Sequence, residues 1–491
     1  MSTDAQRIVV AFNRFGFGPR PGDLAKTSDP HAVLFAELEA PDGATFVDDS
    51  LPRSAAAVQT VFADQERKRL EREQRARLEF EQAGMPAPAV APLLELKSPP
   101  EPSKESQAMM SGGSPPMKPP PSPEQQIFRA EASARLRRAI AAPVGFIERL
   151  VAFWSNHFCV SVAKSNIVRA TAGAYEREAI RPYVTGRFAD MLRAVEQHPA
   201  MLNFLDNAQS IGPDSKAGQR RNRGLNENLA REILELHTMG VGSGYTQADV
   251  IGLARILTGW TFAGRDGRLG EPGAFVFNAN AHEPGPATVL GRTYAQAGLA
   301  QGEAALADIA RQPAVADHIA KKFARHFVAD DPPAALVGRL AKSFRDSDGD
   351  LGVLARTLIA DDAAWSAPAT KMRNPWELVV ASARAFDRPY AEPGPALNAM
   401  NLLGMPLWRP GGPNGFAEEA SAWASPEGMK TRLDLAAQFA RQVRDAPSPT
   451  ALIDDILGPS ASEATRQAVT RAESREQAYA LLLMSPEFQR R

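Results

Sequence analysis

Asn226-Glu-Asn-Leu-Ala-Arg-Glu-Ile-Leu-Glu-Leu-His-Thr-Met-Gly240 is the stretch whose reading decides this chain. It predicts a helix over 226–239 that stops at Gly240, where a left-handed residue is favoured. At 100° per residue, Leu229, Ala230, Ile233 and Leu236 share one face, and Asn226 and His237 fall on it. Glu227, Arg231 and Glu235 recur four apart on the opposite side, so one arginine lies between two carboxylates. Glu232 lies on a different face again. An imidazole and an amide aimed at a core are either satisfied structurally or used for chemistry.

The segments around it read the same way. Helical patterning is predicted over 126–141, 143–158, 186–197, 247–258, 301–311, 313–328, 334–345, 351–361, 376–386, 430–443 and 463–474. Thr246-Gln-Ala-Asp249 is a capping box opening the 247–258 helix. The strand signals are short, Ala274-Phe-Val-Phe277 and Thr288-Val-Leu290, and a Pro/Gly-rich turn between them suggests one hairpin. The expected fold is mainly α, a large multi-helix domain with one small β-hairpin.

Composition shifts once. From Val61 to about Phe80 the chain is rich in Glu, Arg and Gln, the pattern of a solvated helix. Residues 84–124 are rich in Pro, Ser, Met and Gly and read as a linker. The expected organisation is an N-terminal helical part (1–62), an inserted charged and proline-rich arm (63–124), a central helical core carrying the polar motif (125–390) and a C-terminal helical part packed on it (391–491). With 491 residues the chain can bury a substantial core, and a net charge of −1 gives no reason to expect nucleic acid as a partner. Its single cysteine, Cys159, excludes an intrachain disulfide and any multi-cysteine metal site. No run of about 18 apolar residues occurs, so no membrane span is expected. Residues 1–25 have no apolar h-region and no twin arginine, so the expected compartment is the cytoplasm, with export alongside a signal-bearing partner as the alternative.

Three further places hold candidate chemistry. Trp154-Ser-Asn-His-Phe-Cys159 ends a helix whose apolar residues are Phe146, Ile147, Leu150, Val151 and Trp154. His157 points with them and Asn156 stands beside it. Cys159 has no activating base in view and reads as a small buried hydrophobe. His282-Glu283-Pro-Gly285 sits in the hairpin loop, where an imidazole and a carboxylate can bind metal or exchange protons, and where a turn with solvent-facing polar groups is the plainer reading. Asp346-Ser-Asp-Gly-Asp350 imitates a calcium loop but has Leu351 and Thr357 where Gly and Glu are required, so Asp350 reads as a helix N-cap. No metalloprotease, Walker or nucleophile-elbow motif occurs.

The motifs together resemble the bacterial family of unknown function DUF1800. The resemblance runs from Asn13-Arg-Phe-Gly-Phe-Gly-Pro19 through Phe153-Trp-Ser-Asn-His-Phe158 and Met201-Leu-Asn-Phe-Leu-Asp-Asn207. It is strongest over Asn226-Glu-Asn228, Ala230-Arg-Glu232, Glu235-Leu-His-Thr238, Gly244-Tyr-Thr-Gln-Ala-Asp-Val250 and Ala254-Arg-Ile-Leu-Thr-Gly-Trp260, and continues at His282–Gly285, Trp408-Arg-Pro410, Asn414-Gly415, Trp423 and Arg432. Two positions depart from the family pattern: Glu283 stands where aspartate is usual, and Cys159 where a small polar residue is usual. The family carries no assigned activity. The resemblance implies a gene neighbour, a sulfatase-like family (DUF1501) that often bears an export signal.

The leading expectation is a helical enzyme, hydrolytic or lyase-type. His157, His237, Glu227, Glu232 and Arg231 are its candidate catalytic groups. Asn156, Asp206, Asn226, Asn228, Glu235, Tyr245, Arg255, Trp260 and His282 are candidates for binding substrate. Histidine would act as general base, with a carboxylate orienting it or holding a divalent ion. The alternatives are a non-catalytic binding or assembly partner of the sulfatase-like protein and a plain helical scaffold. His157 and His237 are expected to meet, near Asp206 or one of the glutamates.

Overall fold

The computed structural model describes residues 4–40, 43–82, 120–221, 224–443 and 445–491. The proline-rich part of the expected arm lies largely outside them. Helices dominate, and many begin with a side chain that satisfies free backbone N–H groups. Thr246 and Asp249 form the expected reciprocal box, Asn374 and Glu377 form another, and Asp350 accepts from Val353 N at 2.8 Å. That N-cap, together with Asp348 held by Arg187 and Arg311, uses up the calcium-like run structurally.

The β structure differs from the single hairpin expected. Phe275–Phe277 pairs backwards with Trp260–Phe262, and Ala287–Val289 pairs forwards with Arg292–Tyr294. Leu290 and Gly291 both take positive φ, 51° and 74°. That is the two-residue turn matching strand twist, so 287–289 closes on its own downstream neighbour.

The main core is built from the Phe146–His157, Phe188–Glu196, Gln247–Leu257 and Pro313–Phe327 helices, with the N-terminal turns around Phe15 and Phe17. The Pro375–Ala385 helix has no solvent face. Trp376, Val379, Val380 and Ala383 join the main core, while Leu378, Ala381 and Ala385 belong to a second cluster with Ala436–Phe488. The Ser54–Gln82 helix buries Ala57, Val58 and Val61 at its start, and from Arg69 to Glu79 every residue is exposed. Among the described residues, no helix is long and apolar enough to cross a membrane.

The 226–239 segment departs from a uniform helix. It is α-helical over Asn228–Glu232 and then widens into a π-helical turn over Ile233–His237. His237 is buried as its α-helical position predicts, but the wider turn shifts the phase of the residues around it, so Leu234 is buried as well while Leu236 is only half-buried. Gly240 stops the segment at φ 90°. A Cβ there would lie 2.7 Å from His318 Nδ1, so conformation and close packing both require glycine.

Candidate functional site

The Phe146–His157 helix delivers His157 at its C-terminal turn, 2 % exposed. Its Nε2 lies 3.0 Å from the backbone carbonyl of His237. A carbonyl only accepts, so His157 carries its proton on Nε2, leaving Nδ1 as a buried lone pair without a protein partner. Burial first, then the charge of Lys322 and the neighbouring rings of His318 and His237, hold the His157 pKa well below the usual histidine range. The carbonyl is available because the last turn of a helix leaves its C=O groups free. The two segments therefore meet, joined through the main chain of one and the ring of the other.

The carboxylate at His237 is one the sequence reading did not single out. Glu196, fully buried at the end of the Phe188–Glu196 helix, accepts from His237 Nδ1 at 2.8 Å. Its second oxygen has no partner. In a neutral ring donating from Nδ1, Nε2 is a lone pair, and among the described residues nothing hydrogen-bonds it. Asp206 is elsewhere: it pairs at the part-exposed surface with Lys164 at 2.6 Å. It sits in the left-handed region, φ 60°.

Around this pair lie groups from a third element. His318, Lys322 and His326 recur four apart on the Pro313–Phe327 helix, and the His157 and His318 rings are 6.2 Å apart. Burial, then Lys322, lowers His318 to about 4. Burial likewise lowers Lys322, whose field is shared with Glu418 and Cys159. Glu232 is half-buried, its pKa raised by desolvation and lowered in part by His237. Lys322 and Glu232 both bear on Cys159, whose thiol burial pushes up to about 12. Cys159 donates to Pro413 O at 3.2 Å, an inert small residue as expected. Glu232 and Lys322 are only partly covered, so the cluster reaches solvent through them.

On the far side of Cys159 is a cavity of about 50 Å³, bounded by Asn156, His326, Trp376, Glu377, Trp408 and Glu418, with room for a few waters. Asn156 is spent there on the 412–418 loop: it donates to Phe416 O at 3.0 Å and accepts from Phe416 N at 2.8 Å. Glu418 accepts from His326 Nδ1 at 2.9 Å. Burial would raise Glu418, but His326, Lys371 and Arg491 outweigh it and hold it at about 2. Glu377 is clamped between Arg149 and Arg491.

The other sequence candidates do not converge on this cluster. Glu227, Arg231 and Glu235 form their ladder, Arg231 being 3.0 Å from Glu227 and 3.5 Å from Glu235, on a part-exposed face where Gln247 also binds Glu227. Tyr245 bonds Glu235, and desolvation and that bond raise it to about 12. Asn226 accepts from Asn228 N at 2.9 Å as an N-terminal turn. Arg255 is exposed. Trp260 is buried edge-on against Phe275. His282 and Glu283 are not solvent-facing: both are buried. His282 Nδ1 meets Thr258 O at 2.9 Å and Nε2 meets Gln301 at 3.1 Å, while Glu283 accepts from Asp214 N at 3.0 Å. Both ring nitrogens being bonded, this histidine ties the 258–260 and 281–283 turns together. Among the described residues, no group of three or more His, Cys, Asp or Glu is arranged to hold a metal ion.

The family model described as "Protein of unknown function (DUF1800)" matches residues 10–490. The chain belongs to the DUF1800 family. The match takes in the His157 turn, the Glu196 helix, the 226–240 segment and the His318–Lys322 stripe alike. Comparison with curated proteins and with solved structures gave no match. Sequence reasoning passed over Glu196, His318, Lys322, His326 and Glu418. The one signal that could have found any of them was the i, i+4, i+8 spacing of His318, Lys322 and His326, between Val315, Ile319, Phe323 and Phe327.

Proposed function

We propose that this protein is a hydrolase or lyase whose general base is His237, oriented by Glu196, with Glu232 as its acid. The observation that carries the reading is the 2.8 Å contact between a fully buried carboxylate and His237 Nδ1, with Nε2 left unpartnered. A carboxylate on one ring nitrogen fixes the tautomer and stabilises the imidazolium formed when the other takes a proton. Glu232, its pKa raised by desolvation, is suited to return a proton to a leaving group. In hydrolysis, water gives its proton to Nε2 as its oxygen attacks the electrophilic centre, and the departing oxygen or nitrogen takes the proton of Glu232. In elimination the same base removes a proton from carbon, that C–H electron pair forms the C=C bond, and the leaving group on the adjacent carbon departs with the proton of Glu232.

The test is a panel of chromogenic carboxylic, phosphoric and sulfuric esters and β-elimination substrates, run on the full chain with Glu196→Gln and His237→Gln. Turnover should fall by about 10²–10⁴ in both variants, the usual worth of a general base, assayed at a temperature where each variant is shown to be folded. Turnover by the wild type that neither substitution lowers would overturn the assignment.

A second reading is a non-catalytic partner of the sulfatase-like exported protein, sharing its compartment. It is favoured by how many candidate polar groups, Asn156, Asp206, Glu227 and His282 among them, are bonded within the chain. Co-purification of the two proteins with equal yield from wild type and His237→Gln would support it.

A further inference from the structure

The general-base reading leaves Lys322 without a task, and its surroundings define one. Lys322 is half-buried midway along the Pro313–Phe327 helix, yet its ammonium makes no hydrogen bond and no ion pair with any described residue. Withdrawing an ammonium from water without an acceptor is costly. The carboxylate acting most strongly on it, Glu418, is engaged with His326. The adjacent rings add two more unsatisfied atoms, His157 Nδ1 and His318 Nε2, both buried. A cation would meet repulsion from Lys322, with Arg325 and Lys321 on the same helix. The other groups facing it are the neutral Cys159 thiol and, beyond that, Glu232.

We infer that Lys322, His157 and His318 form a binding site for an oxyanion group of the substrate, a carboxylate or a tetrahedral phosphate or sulfate. The inference rests on the general-base reading for its catalytic meaning, since it places a substrate's anionic group beside the Glu196–His237 pair. Lys322 donates from Nζ. An anion also favours protonation of the adjacent imidazoles, which then donate from the nitrogens now unpartnered. The substrate class is thus an anionic ester, amide or β-substituted acid rather than a neutral one.

The experiment measures acylation of lysines in the full-length wild-type protein by an amine-directed reagent, read peptide by peptide by mass spectrometry. Sodium acetate, inorganic phosphate and sodium sulfate are titrated at constant ionic strength against chloride. Lys321, exposed and adjacent, is the internal control. Protection follows 1 + [L]/Kd, so at about four times Kd labelling of Lys322 should slow about fivefold while Lys321 is unchanged. Protection by acetate alone assigns a carboxylate; protection by phosphate and sulfate assigns a tetrahedral group. Equal labelling of Lys322 with and without all three anions, or equal protection of Lys321, would overturn the site. The two readings separate cleanly. Protection that persists while His237→Gln leaves turnover unaltered keeps the anion site and removes the base. Loss of turnover in His237→Gln without any protection does the reverse.

Discussion

Replacing Glu377 by alanine should bring the molecule close to its unfolding threshold. The carboxylate is 1 % exposed and sits between two guanidiniums, Arg149 at 0 % and Arg491 at 3 %. Arg491 reaches it at 2.8 Å. Truncation leaves both cations buried and uncompensated, a cost of about 3–5 kcal/mol for a broken buried pair. The same side chain closes the capping box, accepting from Asn374 N at 3.2 Å, worth about 1 kcal/mol more. The expected loss is therefore about 4–6 kcal/mol, against a typical total of about 5–15 kcal/mol. Urea unfolding followed by tryptophan fluorescence measures it, with Trp376 next to the site as a local reporter. Glu377→Gln keeps an acceptor for the cap and isolates the ionic part. In the Glu377→Ala background, Arg149→Met should cost about 1–3 kcal/mol less than it does alone, because the partner it would abandon is already gone. A Glu377→Ala loss below about 1 kcal/mol at unchanged m value would refute the reasoning, since the guanidiniums would then have found other acceptors.

Three more outcomes are expected from the same geometry. Arg231→Ala should change stability by no more than about 0.5 kcal/mol, measured by thermal or urea unfolding, because its ladder lies on a part-exposed helix face. Gly240→Ala should cost about 1–3 kcal/mol, from a residue forced to φ 90°, and should also displace the His318 ring, visible as altered NMR shifts of that imidazole. Acid should destabilise the fold in a defined window. Glu377 and Glu418 are held below their usual range in the folded state, Glu418 at about 2, so the unfolded chain binds more protons as pH falls. Their contribution is complete above an unfolded pKa of about 4.3 and is lost progressively as pH drops from there toward about 2. Denaturant midpoints measured across that range should fall steeply, and Glu377→Gln should flatten the slope.

The range of each interaction decides whether the sequence disclosed it or hid it. The helices announced themselves through local signals: Thr246 with Asp249, Asp350 before its helix, Gly240 after the polar motif. His157 and His237 could be picked out because each interrupts an apolar stripe on its own helix. Their carboxylate could not. Glu196 stands about forty residues from His237, at a helix end without a motif, and only tertiary packing brings it within 2.8 Å. The stripe His318–Lys322–His326 was masked by Lys321 and Arg325, which make the same helix look solvated. The Glu227–Arg231–Glu235 ladder was legible as a ladder, but its exposure was not, since a four-residue repeat of charges looks the same on a buried face as on an open one.

The π-helical turns differ in how fully the buried polar group of each is bonded. The turns at Ala11–Phe15, Glu176–Ile180 and Ile233–His237 each carry one ionisable group into the interior: Arg14, Glu176 and His237, at 2 %, 3 % and 1 % exposure. An extra residue widens the turn, and such turns frequent functional sites. Two of these groups are committed. Arg14 directs its terminal nitrogens to the carbonyls of Ala364, Ala367 and Pro368, and with its pKa at about 10 it stays charged at neutral pH. Glu176 gives one oxygen to Arg181 and the other to Ser155 and Arg135. His237 is anchored through Nδ1 to Glu196, and among the described residues nothing hydrogen-bonds its Nε2. The helix ends at the same turn, which leaves free the His237 carbonyl that His157 binds, so one segment positions both rings.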